Sequence, residues 1–210
     1  MKTIVLFLLI FIIIPTNHFV KQPHLKNKPM TKQQTLETAT LAGGCFWCMD
    51  AIFEQVKGVE KVVSGYTGGT KANPSYEEVC TGSTGHAESI QIHFDPKVIS
   101  YKEILLIFFT FHDPTTLNRQ GADIGTQYRS AIFYANAKQK SEAQEMIKSL
   151  TDKKIYEGNF VTQLVPLGEF YPAEDYHQNY FAKNPHNGYC NAVINPKVAK
   201  LRKNFSKYLK

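Results

Sequence analysis

The chain has 210 residues, 43% of them hydrophobic and 12% aromatic, a composition that suits one well-filled globular domain plus an extra segment rather than two independent domains. Its formal net charge is +6, yet the excess of bases over acids lies at the two ends: Lys21, Lys26, Lys28 and Lys32 near the start, Lys197, Lys200, Arg202, Lys203, Lys207 and Lys210 near the finish. No basic and aromatic stripe joins them, which argues against nucleic-acid binding.

The first residues differ in kind from the rest. An unbroken apolar run of eleven residues, IVLFLLIFIII, follows Thr3 and ends at Pro15. It falls short of the roughly 20 residues a bilayer-spanning helix needs, but it fits the apolar region of a secretory signal. No small-x-small cleavage site follows, and the positive residues beyond it oppose translocation. Cleaved signal, uncleaved anchor and interfacial segment therefore all stay open. Residues 1–15 are expected to be a signal peptide or membrane anchor, residues 16–35 a disordered tether rich in Lys, Gln, Pro and Asn, and residues 36–210 a single domain. Export (periplasmic or extracellular) or membrane anchoring is expected in preference to a cytoplasmic location.

Within the domain, residues 37–42 (ETATLA) read as a short strand entering the Gly43-Gly44 turn. From Cys45 the apolar positions Cys45, Cys48, Met49, Ile52, Phe53 and Val56 fall on one helical face, and Lys57-Gly58 supply a C-terminal cation and cap. Residues 59–66 read as a strand running into the glycine-rich loop TGGTKANPS. ESIQIHF then alternates, with Glu88, Ile90, Ile92 and Phe94 on one face. Ser100 with Glu103 three residues on is a capping box that opens the helix YKEILLIFFTF. A fourth strand is expected over residues 129–135, after which Asn136 caps a charged helix ending near Leu150. FVTQLVPL is a further strand candidate and PKVAKLRKNFSKYL a terminal helix. The order strand, helix, strand, strand, helix, strand predicts an α+β fold: a two-layer sandwich with a ferredoxin-like, split βαβ core, both helices on one face of a mixed, mostly antiparallel sheet.

The chemistry starts at GGCFWC. A thiol in the first turn of a helix meets unsatisfied N–H groups and the positive end of the dipole, so the pKa of Cys45 is expected to be lowered. Cys48 lies one turn on, on the same face, within reach of an oxidised sulfur at Cys45. Core cysteines, half of a zinc site and a thioredoxin-like disulfide exchanger are alternatives at this point. The intervening Phe46 and Trp47 are suited to walling a pocket for a small apolar group. Glu88 enters at the start of its strand on the apolar side, where burial should raise its pKa enough for it to donate a proton near neutrality. Tyr66, just after the second strand, and Asp123 and Tyr128, before the fourth, are loop residues placed to converge on one polar atom.

The ordered set GGCFWC, SGYTGG, NPSYEEVCTGSTGHAE, HDPTTLNRQGADIGTQYRSAIFY, FYPAEDYHQNYF and KNPHNGYC resembles the A-type peptide methionine sulfoxide reductases over roughly residues 36–193. The resemblance implies reduction of the S epimer of methionine sulfoxide, free or in proteins, as repair of oxidative damage. By residue it implies Cys45 as the nucleophile and Glu88 as the acid that protonates the sulfoxide oxygen. Tyr66 and Tyr128 would hydrogen-bond that oxygen, Asp123 would support the polar side of the pocket, and Phe46 and Trp47 would hold the ε-methyl group.

Many family members carry glycine where this chain has Cys48 and resolve the sulfenic acid with C-terminal cysteines. Here GYC aligns Cys190 with the first of those, but the glycine-rich tail and its further cysteine are replaced by NAVINPKVAKLRK, which reads as a strand or turn followed by a packed helix. Cys48 is therefore expected to resolve the sulfenic acid, with Cys190 as the alternative, and Cys80 to have no redox role. His86, His93, His112, His177 and His186 lack ligand spacing, Asp175 and His177 are placed in an amphipathic helix, and no metal or cofactor is expected. A thioredoxin-type reductant is implied as partner, and no heptad seam or long apolar edge demands more than a monomer.

Overall fold

The computed structural model describes residues 35–210, so the expected leader, and all of the expected tether except its last residue, lie outside the described residues. The chain opens with β1 (Glu37–Gly43), α1 (Phe46–Phe53), β2 (Val59–Thr67), α2 (Tyr76–Cys80), β3 (Ala87–Phe94) and α3 (Tyr101–Phe111). A two-residue hairpin follows, β4 (Arg119–Gln120) and β5 (Asp123–Ile124), then β6 (Ser130–Tyr134) and α4 (Ala137–Asp152). The remaining elements are β7 (Gln163–Pro166), β8 (Phe170–Pro172), α5 (Tyr180–Lys183) and α6 (Asn195–Asn204).

Side-chain caps set several of the helix starts. Ser100 and Glu103 exchange hydrogen bonds at α3, as the sequence indicates, and the Asn136 side chain accepts the Gln139 N–H at α4. The same reciprocal box, Ser75 with Glu78, opens α2. That helix is a feature the pattern reading passes over as loop, although the Ser-x-x-Glu signal is present.

Six strands form one sheet in the order β7-β6-β1-β3-β2-β8. Every neighbouring pair is antiparallel except β6 and β7. β1 is central, and its adjacent residues Leu41 and Ala42 belong to different buried clusters, because successive strand residues point to opposite faces. Leu41 joins the main core with Ile52 and Phe53 of α1, Ile90 and Ile92 of β3, and Ile104 and Phe108 of α3. Both α1 and α3 reach one point on β1: a Cβ at Gly43 would lie 2.6 Å from Met49 Cε and 2.9 Å from Phe108 Cε2. Glycine there lets both helices close on the strand.

Three local expectations need correction. Asp175 and His177 lie in a single 3-10 turn, Asp175–His177, and the α-helix that follows is only the four residues of α5, because Asn179 takes a left-handed conformation (φ 55°) between them. The segment after Tyr189 is helical rather than a strand: Cys190–Ile194 forms a π-helical turn that runs directly into α6. Tyr66 lies inside β2, as the strand reading of residues 59–66 has it, paired with Glu88 of β3 and Tyr171 of β8, rather than among the loop residues after the strand.

Candidate active site

The turn between β1 and α1 depends on Gly44, whose φ of +88° is in the left-handed region. It delivers Cys45 as the residue capping α1, with φ −55° and ψ 123°, one position before the first helical residue. Cys48 is one turn on, its N–H donating to the Cys45 carbonyl at 3.1 Å. Both thiols are buried, and all four cysteines are free.

β3 runs alongside and sets Glu88 against the helix start. The carboxyl is 1% exposed, and its Oε2 accepts the Phe46 N–H at 3.0 Å. Burial pushes its pKa up to about 8, partly opposed by that hydrogen bond. The expected raised acid is present.

The expected lowered pKa of Cys45 is not. Burial holds this thiol well above its ordinary value, reinforced by its hydrogen bond to Cys48 and by the charge of Glu88. The donor that would have favoured a thiolate, the first N–H of α1, is taken by Glu88. Cys48 is the thiol brought down, to about 7, chiefly by the hydrogen bond from Cys45 and against the effect of burial.

A cavity of about 200 Å³ opens on these groups. Cys45 and Glu88 flank it, Phe46 and Trp47 wall it, and Asp123 and Tyr128 line it, as the sequence indicates. Tyr66 does not line it: its hydroxyl donates to Glu174 Oε2 at 2.9 Å and its ring packs 5.8 Å from Phe46. Two other phenols are present instead, Tyr76 from α2 and Tyr189. Tyr189 donates to Asp123 Oδ2 at 2.7 Å and lies 3.7 Å from Cys48 Sγ. Burial raises the pKa of Tyr76, Tyr128 and Tyr189, keeping all three as proton donors.

Behind the wall a polar framework holds the aromatic rings. The Trp47 indole N–H donates to His177 Nδ1 at 3.0 Å, and its ring stacks on Tyr180 with centroids 3.6 Å apart. Glu174, besides accepting from Tyr66, accepts the Tyr76 N–H at 2.9 Å and so ties α2 to the site. Tyr76, Glu174, Tyr180 and Tyr189 escaped the sequence reading as site residues, and His177 was read only as packed. The capping box beside Tyr76 and the GYC triplet holding Tyr189 were the available signals.

Cys190 is fully buried at the start of its π-helical turn, its N–H held by Asn187 Oδ1 at 3.3 Å, and it lines neither cavity that reaches Cys45. Cys80 is exposed. Among the described residues no group of three or more His, Cys, Asp or Glu side chains is placed to hold a metal ion.

The sequence model of the family described as peptide methionine sulfoxide reductase matches residues 37–209. A peptide methionine sulfoxide reductase MsrA from Polynucleobacter asymbioticus is 58% identical over 171 residues, 81% of this chain and 90% of that one. The MsrA of Deinococcus radiodurans is 54% identical over 174 residues, 83% of this chain and 84% of its own length. Among solved structures, methionine sulfoxide reductase A of Corynebacterium diphtheriae superimposes with a TM-score of 0.70 at 37% identity, covering 74% of this chain and 78% of that one. Reduced Mxr1 of Saccharomyces cerevisiae gives a TM-score of 0.68 at 35% identity, covering 74% and 89%.

Proposed function

The chain belongs to the peptide methionine sulfoxide reductase family, and from that premise we propose that it reduces methionine-S-sulfoxide, free and in proteins, to methionine through a thiol–disulfide cycle on Cys45. The observation that carries this reading is the pairing of a buried thiol and a proton-bearing carboxyl across one small cavity walled by Phe46 and Trp47.

A sulfoxide oxygen is a poor leaving group until it is protonated, so the nucleophile and the acid must flank the same atom. Glu88, neutral below about pH 8, gives its proton to the oxygen as Cys45 attacks the sulfur, and the Cys45 thiol proton passes to the Glu88 carboxylate so formed. Tyr128 and Tyr76 are the phenols placed to hydrogen-bond that oxygen, and Asp123, engaged by Tyr189, lies on the polar side. Phe46 and Trp47 hold the methyl group. In net terms one oxygen passes from the substrate sulfur to Cys45 and two electrons pass the other way, leaving methionine and a sulfenic acid.

Cys48 then attacks the Cys45 sulfur. The S–S bond forms, and the S–O bond breaks with loss of water. A thiol of pKa about 7 is partly ionised at neutrality, which suits it to this attack. Cys190, buried and held in a helical turn, is the less ready partner. A thioredoxin-type dithiol returns both cysteines to the reduced state, so the electrons arrive through thiols without a prosthetic group.

The fourth-first-third-second order of β6, β1, β3 and β2, antiparallel throughout, supports the split βαβ, two-layer reading of the core. The convergence of α1 and α3 on Gly43 supports their lying on one face. The apolar run before Pro15 supports export or membrane anchoring.

The test separates chemistry from recycling. The reduced full chain is mixed with excess S- or R-sulfoxide peptide and no reductant, and methionine formed and disulfides made are counted by mass spectrometry. Stoichiometric product from the S epimer alone, with a Cys45–Cys48 link, is expected. No product from either epimer, with the thiols still reactive, overturns the reading in favour of a general disulfide oxidoreductase.

A further inference from the structure

Cys45 is reached from two cavities. Beside the aromatic pocket lies a second, of about 410 Å³, also bounded by Cys45, Asp123 and Tyr189. Asp123 and Tyr189, joined by their 2.7 Å hydrogen bond, line both. Much of the remaining wall is small or apolar, Gly121 and Ala122 from the β4–β5 hairpin and Val193 and Pro196 from the helical segment after Cys190, with Gln120, whose amide is tied to the Asp113 backbone.

A pocket of about 200 Å³ takes one side chain. A methionine sulfoxide inside a polypeptide brings its neighbours with it, and the larger cavity begins at the same sulfur. Its one basic side chain is Lys197, in the first turn of α6. Lys197 is half-buried and makes no hydrogen bond or ion pair among the described residues. Lys200, one turn on, is by contrast engaged: it donates to the Thr110 carbonyl at 3.1 Å and lies over the Phe111 ring. The acid that shares the cleft, Asp123, already accepts from Tyr189. A half-buried ammonium that lines a cleft with no ion-pair partner among the described residues is complementary to a carboxylate, beside an Asp123 already engaged by Tyr189.

We propose that this cleft receives the residue flanking an oxidised methionine in a polypeptide, and that Lys197 selects a side-chain carboxylate there, Asp or Glu. The proposal rests on the reductase reading of Cys45 and deepens it by naming a substrate class.

End-blocked S-sulfoxide peptides carrying Asp, Ser or Lys beside the methionine, on either side, test it with the reduced full chain. Blocking removes the terminal carboxylate as a competing anion. The rate is that of first-turnover methionine formation without reductant, because the Lys197 charge also favours the Cys48 thiolate and this step precedes any attack by Cys48. The Asp peptide should outpace the Lys peptide by about fivefold at low ionic strength, less at high salt. Lys197→Gln should remove the preference while leaving the Ser peptide within about twofold of wild type, Lys197→Arg should keep it and Lys197→Glu should reverse it. A preference that survives in Lys197→Gln, or an equal loss with all three peptides, overturns the assignment. Failure of the wild-type chain on the Ser peptide is a separate result, which overturns the reductase reading and this one with it.

Discussion

The Glu88 carboxyl accepts the Phe46 N–H at 3.0 Å, so the acid, and not the thiol before it, occupies the first donor of α1. Burial keeps Cys45 a thiol, with the Cys48 hydrogen bond and the Glu88 charge reinforcing it, and Glu88 keeps an acceptor contact when it gives up its proton. Replacing Glu88 by Gln keeps that contact and removes the transferable proton. Glu88→Gln should slow first-turnover sulfoxide reduction by about 100-fold or more while changing Cys45 alkylation little. In the wild type the same step should weaken as pH rises past about 8, where Glu88 loses its proton. An unchanged turnover in Glu88→Gln would remove this residue from the mechanism.

Glu88 also ties stability to pH. Its pKa is about 8 when folded against the ordinary 4.5, so between those values the folded state binds a proton that the unfolded state has lost. Stability from this group is therefore fully present below about pH 4.5 and is lost as pH rises through about 8. Asp50, pushed up to about 7 by burial, acts in the same direction. Glu88→Gln should be the more stable protein at high pH, by on the order of 3 kcal/mol at pH 8, with the gap closing toward pH 5. Urea denaturation at several pH values measures this, and a gap that stays constant with pH would refute it.

Cys48 carries the lowered thiol pKa and lies one turn from Cys45. Cys48→Ser should complete a single turnover and then stop, with a sulfenic acid that dimedone traps and thioredoxin fails to recycle. Cys190→Ser should cycle normally. The reverse pair of results would give the resolving role to Cys190.

Gly43 sits where α1 and α3 meet β1, and an added Cβ would come within 2.6 Å of Met49 Cε. Gly43→Ala should cost about 1–3 kcal/mol by overpacking, with a lower midpoint and an unchanged slope in urea. A neutral result would mean that the Met49 side chain, which ends in a flexible thioether, gives way.

Much of this arrangement was legible in the sequence because it rests on local signals. Alternation placed β3 and the burial of Glu88, and capping chemistry placed α3 and α4. What stayed hidden depends on groups brought together from afar. The Cys45 pKa runs against the helix-start expectation because that local signal carries neither the burial of the thiol nor the charge of Glu88, 42 residues away in sequence. Tyr66 carries no local signal of where its hydroxyl goes; the pairing of β2 with β8 shows it turned to Glu174. The π-helical turn at Cys190 has no simple periodic signature, so a strand or turn was read in its place.

The two thiols of the proposed cycle are separated in the chain only by Phe46 and Trp47, the residues that wall the sulfoxide pocket. A disulfide between positions three apart strains a helical turn, so closing it requires that turn to loosen. Receptor and fuse are then one short piece of backbone. Each oxidation dismantles the cradle that held the substrate, and each reduction rebuilds it, so an unrecharged enzyme is poorly shaped to hold a second oxidised methionine.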